Sequence, residues 1–292
     1  MESSSGSTSA TQAAYGRLES RHALFALRFC QHGEAGREPP RAAEQVIGMR
    51  NAPRFWFWAH DIQPDQVAGL DMPGMRLRRL ANYRRGPEAT RRFAALYYDD
   101  DGALAPSHTW LIDVDAATAA AHGSRAASLS VDVVPGSGDV GLTLVLEAHP
   151  YPGRAVYTDL AADEFSALIN EDHTVVDLAT YLRDGSRCFA AIVEPSEGDG
   201  SVFFPSLSPE QIRPTLGPRG VIPTKARAYH EGPAGWRLAV IAEHARGTSW
   251  SVLVDIDADD VSERLEHLQA YPLDLDAVGH GMSVRFVSVA AK

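Results

Sequence analysis

The residues best suited to chemistry in this 292-residue chain are acids and histidines that recur at matching places. Glu147 with His149, Glu194, and Glu243 with His244 each follow a short apolar run, and Asp99-Asp100 follows another. His60 stands directly before Asp61, behind the aromatic run Phe55-Trp56-Phe57-Trp58. If these runs are strands, their ends direct several carboxylates and imidazoles to one face. Such a face suits a cationic ligand, a metal or acid–base work. The competing reading is that strand ends at a surface are polar in any protein. The expected ligand-binding residues are therefore Glu147, His149, Glu194, Glu243, His244, His60 and Asp99. Catalytic residues remain unassigned, no metal ligands are assigned, and no cofactor is expected.

Several kinds of chemistry are excluded by composition. Lysine occurs only at 225 and 292, so a phosphate-binding loop ending in Gly-Lys-Ser/Thr is impossible. The sequence contains no G-x-S-x-G elbow and no H-E-x-x-H zinc motif. Glu263 and His267 share a helix face at i, i+4, a spacing commoner in surface pairs than in ligand pairs. A formal charge of −11 disfavours a nucleic-acid or anionic-membrane partner. Seven arginines between 76 and 92 are the local exception. They read either as the solvent face of a hairpin, since Leu77, Leu80, Tyr83 and Phe93 interleave with them, or as a site for a carboxylate or phosphate. Cys30 and Cys188 make no disulfide framework, no run approaches 18 apolar residues, and the polar first residues lack a signal-peptide layout. A cytoplasmic protein with free thiols is the expectation.

The elements that position these residues repeat. Asp61, Asp113, Asp159, Ser206 and Asp255 follow five apolar strands at spacings of 52, 46, 47 and 49 residues. A helix start follows each anchor, clearest in Ser208-Pro209-Glu210-Gln211, where a capping Ser precedes a first-turn Pro. Two further strands joined by a Gly-containing turn close each unit, as in Arg183-Asp184-Gly185-Ser186. A regular period of this length means that single units cannot bury their own apolar faces. The expected fold is α+β: five tandem strand–helix–strand–strand repeats in a curved or closed antiparallel β array with short outer helices. The units run over 55–104, 107–150, 154–198, 201–247 and 249–292. Residues 1–14 read as a disordered leader and 15–54 as an extension with one strand at 23–29 and a short helical piece at 41–48. Trp56 and Trp58 fall on one strand face and Phe55 and Phe57 on the other, so that strand is expected to be buried on both sides.

The third unit carries Glu164-Phe165, then Val176-Asp177-Leu178-Ala179-Thr180-Tyr181, Asp184-Gly185 and Phe189-Ala190-Ala191-Ile192-Val193. The first unit echoes it in Leu77–Tyr83, Gly86 and Phe93-Ala94-Ala95-Leu96-Tyr97. This pattern resembles the bacterial tandem-repeat domain that accompanies polyglycine hydrolases and other β-lactamase-like serine hydrolases. The resemblance implies an accessory α/β domain that handles peptide substrate. It does not carry the hydrolase activity, because residues 222 and 289, three before the two lysines, are Ile and Val, so no S-x-x-K nucleophile motif exists. Two functions follow as expectations: a non-catalytic repeat domain or scaffold binding a peptide-like or small polar ligand or another protein, or a hydrolase or biosynthetic enzyme with an acid/His site at the repeat axis.

Overall fold

The computed structural model describes residues 52, 53, 55–70, 74–99, 108–169, 172–196, 198, 200–244, 247–280 and 282–292. The leader, the strand at 23–29, the helical piece at 41–48, Cys30 and Asp100 lie outside them.

Apolar residues in continuous runs, rather than in strict alternation, mark strands covered on both faces. Five three-stranded sheets result. Sheet one holds β1 (Phe55–Ile62), β2 (Arg76–Arg85) and β3 (Thr90–Asp99). Sheet two holds β4 (His108–Val114), β5 (Ala126–Val133) and β6 (Val140–Glu147). Sheet three holds β7 (Ala155–Leu160), β8 (His173–Arg183) and β9 (Ser186–Pro195). Sheet four holds β10 (Ser201–Leu207), β11 (Val221–His230) and β12 (Trp236–His244). Sheet five holds β13 (Trp250–Ile256), β14 (Tyr271–His280) and β15 (Ser283–Ala291). In every sheet the last strand is central and runs antiparallel to both others.

Between the first and second strands of sheets two to five lie short helices: α1 (Ala116–Ala121), α2 (Ala162–Leu168), α3 (Pro209–Leu216) and α4 (Ala258–Leu268). Sheet one has a 3₁₀ segment there, Pro64–Leu70. The starts are capped locally. Thr118 N donates to the Asp115 carboxylate at 2.7 Å, Ala161 N to Glu164 at 2.8 Å, and Ser208 N to Gln211 at 2.9 Å. Among the described residues no helix is long and apolar enough to cross a membrane.

Of the curved or closed antiparallel array expected, a closed barrel is not formed, because the strand ladders stay inside each three-stranded sheet. The sheets meet through side chains instead. Phe57, Leu80 and Tyr97 of sheet one pack with Val145 and Trp110 of sheet two. Leu142 and Leu144 of sheet two meet Tyr181 and Ile192 of sheet three. Phe165 and Phe189 meet Tyr229 and Ile241 of sheet four. Leu238 and Val240 meet Val287 and Val289 of sheet five. Phe286 and Leu275 then pack against Trp56 and Leu96 of sheet one. Face-to-face packing of this kind separates sheets by about 10 Å, twice the spacing that strand-to-strand hydrogen bonds need. Along the second strands, β2 neighbours β5, β5 neighbours β8, β8 neighbours β11, β11 neighbours β14, and β14 neighbours β2. Trp56 and Phe57 are both buried, as the alternating aromatics of β1 imply, and Trp58 Nε1 donates to Ser262 Oγ at 3.0 Å.

Candidate functional site

The register places the acids at the strand ends. Glu147, Glu194 and Glu243 occupy one equivalent position, the first residue after those that pair with Ala126, Val175 and Pro223. Arg154 joins two of them. Its Nη2 lies 2.6 Å from Glu194, its Nη1 3.3 Å from Glu147, and its guanidinium stacks on Tyr151. Glu243 accepts from Thr224 Oγ1 at 3.2 Å. Asp99 is offset by one residue, since Tyr98 holds the position of these glutamates in sheet one. His149 and His244 are exposed. His60 is elsewhere: Asp99 pairs with Phe55, whereas Ile62 pairs with Phe93, so His60 and Asp99 stand at opposite ends of sheet one. Six residues of strand separate those ends, about 20 Å. A single acid/His cluster containing His60 is therefore not formed. His60 packs its ring against Trp58 and Phe286.

A second constellation went unread in the sequence. Each second strand carries a register shift near its start, and the residues just after it are Arg79, Ser128, Asp177, Lys225 and Asp274. Their spacings of 49, 49, 48 and 49 are more even than those of the anchors. Two residues on, along the same strand face, stand Ala81, Ser130, Ala179, Arg227 and Asp276. All the charged members are buried: Arg79 is 3% exposed and Asp177 and Arg227 2% each. Arg79 donates to Asp177 at 2.7 Å, to Asp276 at 2.9 Å and to the Leu129 carbonyl. Arg227 donates to Asp177, to Asp274 and, at 2.6 Å, to the Leu178 carbonyl. Asp177 also accepts from Leu129 N at 2.7 Å and Leu178 N at 2.8 Å.

Three cations (Arg79, Lys225, Arg227) thus face three anions (Asp177, Asp274, Asp276), all buried, with Lys225 and Asp276 the least completely covered. Burial opposes ionisation of Asp177, but the Arg79 and Arg227 charges outweigh it and hold the carboxyl well below its ordinary range. Asp274 is lowered in the same way, against burial, by Arg227 and Lys225. Buried and charge-balanced, this cluster ties all five sheets together, sheet two entering through the Leu129 backbone, and offers no surface to a substrate. It also corrects the solvent-face reading of the arginine run. Arg79 points into the buried cluster, Arg84 binds Asp132 at 2.6 Å, Arg85 binds Asp61 at 2.9 Å, and Arg91 binds Asp113.

The third constellation lies at the anchors. Asp61, Asp113, Asp159 and Asp255 adopt left-handed φ of 60°, 58°, 56° and 57°, a conformation Asp tolerates better than most residues. Ser206, the fourth anchor, does not share it. In sheets one and three the anchor is bound identically. The Tyr83 hydroxyl donates to Asp61 and accepts from its N–H, at 2.8 and 3.0 Å; Tyr181 does the same to Asp159, at 2.8 Å in both bonds. Arg85 and Arg183 complete the two sets, Arg183 lying 2.5 Å from Asp159. Burial opposes ionisation of Asp159, and hydrogen bonds from Arg183 and Tyr181 outweigh it, leaving the carboxyl below its ordinary value. Burial and the neighbouring carboxylate push both tyrosine hydroxyls well above the usual tyrosine value.

The Asp159 set opens into a cleft of about 260 Å³ between sheets two and three. Asp139, Val140 and Leu142 form one wall; Thr158, Asp159, Tyr181 and Arg183 form the other. The register equivalents in the other four sheets show what occupies the same place elsewhere. Val140 is the register equivalent of Arg91, Arg187, Trp236 and Val284. At the sheet one–two junction Arg91 reaches across to Thr143 Oγ1 at 2.9 Å. At the three–four junction Arg187 covers the Tyr229 ring at 4.0 Å, and at the four–five junction Trp236 joins the shared core. At the five–one junction Val284 is again small, but Phe286 and His60 supply rings where the cleft has Leu142 and Thr158. Among the described residues no group of three or more His, Cys, Asp or Glu is placed to hold a metal ion. No family model matches this chain, and no curated protein matches it.

Proposed function

We propose that this chain is a non-catalytic binding domain in which the five strand–helix–strand–strand units stand around a common axis. Its cleft between sheets two and three receives a peptide-like or small polar ligand. The observation that carries this reading is the Val140 cleft itself, a polar-walled opening at a position held by Arg91, Arg187 and Trp236 at three other junctions and, at the fifth, by Val284 beside the rings of Phe286 and His60. Its volume of about 260 Å³ is just below the range of drug-sized pockets, which suits one side chain or one polar head group. The balanced burial of the axial charges supports a scaffold role for the centre, because ion pairs sealed from solvent cannot meet a substrate. The resemblance to the tandem-repeat domain of polyglycine hydrolases agrees with peptide handling and is part of this proposal.

The test is amide chemical-shift mapping on the full chain, with capped tripeptides of neutral, basic and acidic central residue. Shifts concentrated on Gly138–Leu142, Thr158, Asp159 and Tyr181–Arg183 are expected. Shifts for every peptide that centre instead on the Arg154 strand-end face would move the site there.

A further inference from the structure

The molecule contains its own version of an occupied cleft. At the sheet one–two junction the Arg91 guanidinium donates to Asp113 and to Thr143 Oγ1, and lies 3.6 Å from Asp132. Asp113 and Asp159 are equivalent anchors with the same left-handed backbone. At Asp159, however, the neighbouring sheet presents Val140 where Arg91 would be, so no guanidinium arrives from across the junction.

Resting on the reading of this cleft as the binding site, we infer that its ligand carries a cation, a guanidinium or ammonium group such as an Arg or Lys side chain of a peptide. The group takes the place that Arg91 fills one junction away. Asp159 Oδ1 accepts from Tyr181 and Oδ2 from Arg183. A carboxylate offers about four acceptor sites, so two remain for donors entering the cleft. Asp139, exposed on the facing wall, adds a second carboxylate. Two acids against Arg183 leave the lining at −1 (Asp139 and Asp159 against one cation). An acidic ligand meets the opposite situation, since the one cation there is already paired with Asp159. The chain's formal charge of −11 also favours approach by cations.

The experiment is calorimetric titration of the full chain at low ionic strength with acetyl-Gly-X-Gly-amide, X being Arg, Lys, Gly or Glu. The Arg and Lys peptides are expected to bind about tenfold tighter than the Gly peptide, the gain from two half-exposed charge pairs. The relative affinity of Arg and Lys then identifies which cation the cleft prefers. Val140→Arg, which reproduces Arg91 at the equivalent place, is expected to abolish binding, and Asp139→Asn to reduce the cation preference about threefold. Should Val140→Arg fail to fold, Asp139→Asn decides alone, because its exposed side chain supports no neighbour. Equal binding of Gly and Arg peptides, both lost in Val140→Arg, overturns the cation inference and leaves the cleft as the site. Cationic binding untouched by either variant, or no binding by any peptide, overturns both.

Discussion

Asp177 is where the architecture is most open to attack. Its carboxylate accepts from Arg79, Arg227, Leu129 N and Leu178 N, and so joins strands from all five sheets once Asp276 and Asp274 are counted through the two arginines. Asp177→Asn keeps the shape, removes one of three buried anions, and turns an amide NH₂ toward guanidinium donors. Removing one partner of a buried ion pair costs about 3–5 kcal/mol, because the other charge is left uncompensated. Against a total stability of about 5–15 kcal/mol, that is a large fraction. Arg227→Met alone should cost a similar amount. The double variant leaves Arg79 and Lys225 facing Asp274 and Asp276, two against two, and should cost less than the sum of the singles by about 1.5–3 kcal/mol. Urea unfolding followed by both tryptophan fluorescence and far-UV circular dichroism reads all three. Strict additivity, or single variants costing under about 1 kcal/mol, would refute a sealed and mutually compensated cluster.

Acid should act through the same groups. Asp177 and Asp274 have folded values below their ordinary one, so their stabilisation is complete above about pH 4 and is lost as pH falls further; denaturant midpoints across pH 2–6 should decline less steeply in Asp177→Asn. At alkaline pH the sign reverses for Tyr83 and Tyr181, whose raised values favour the folded state until pH rises past that of a free tyrosine, near 10; ultraviolet titration of the native chain should leave two of its tyrosines un-ionised there. Tyr181→Phe should raise the Asp159 pKa, measured by carboxyl NMR, and cost about 0.5–1.5 kcal/mol for the lost hydrogen bond. Gly279→Ala tests the junction between the last sheet and the first. A Cβ there would overlap the Arg84 carbonyl oxygen and lie 2.7 Å from its carbon. A loss of about 1–3 kcal/mol is expected, while Gly69→Ala, with nothing within 4 Å, should be near neutral.

The antiparallel strands, their five recurring sheets and the turns were legible because each rests on local signals: apolar runs, a capping Ser before Pro, Gly in hairpins. The left-handed anchors could have been anticipated from the recurring Asp. The buried charges were also marked in the sequence, by a spacing of 48 or 49 residues, but an isolated Arg79 among seven arginines looks like a solvated face. Its burial becomes reasonable only when Asp177 and Asp276, 98 and 197 residues away, supply the compensating charge. His60 stands apart from the strand-end acids for the complementary reason. A histidine beside an aspartate suggests chemistry, yet Phe286 and Trp58 claim its ring for packing.

By itself, then, the sequence determined the apolar strands and the turns between them, since those depend on neighbours a few residues apart. Tertiary structure alone decided which faces meet and which charges neutralise one another. It also decided where a junction stays open. That last outcome depends on the combined volume of Val140, Leu142 and Thr158, since Val284 in the last sheet is as small as Val140 but stands beside the rings of Phe286 and His60, and volume at a junction has meaning only once the facing sheet is in place.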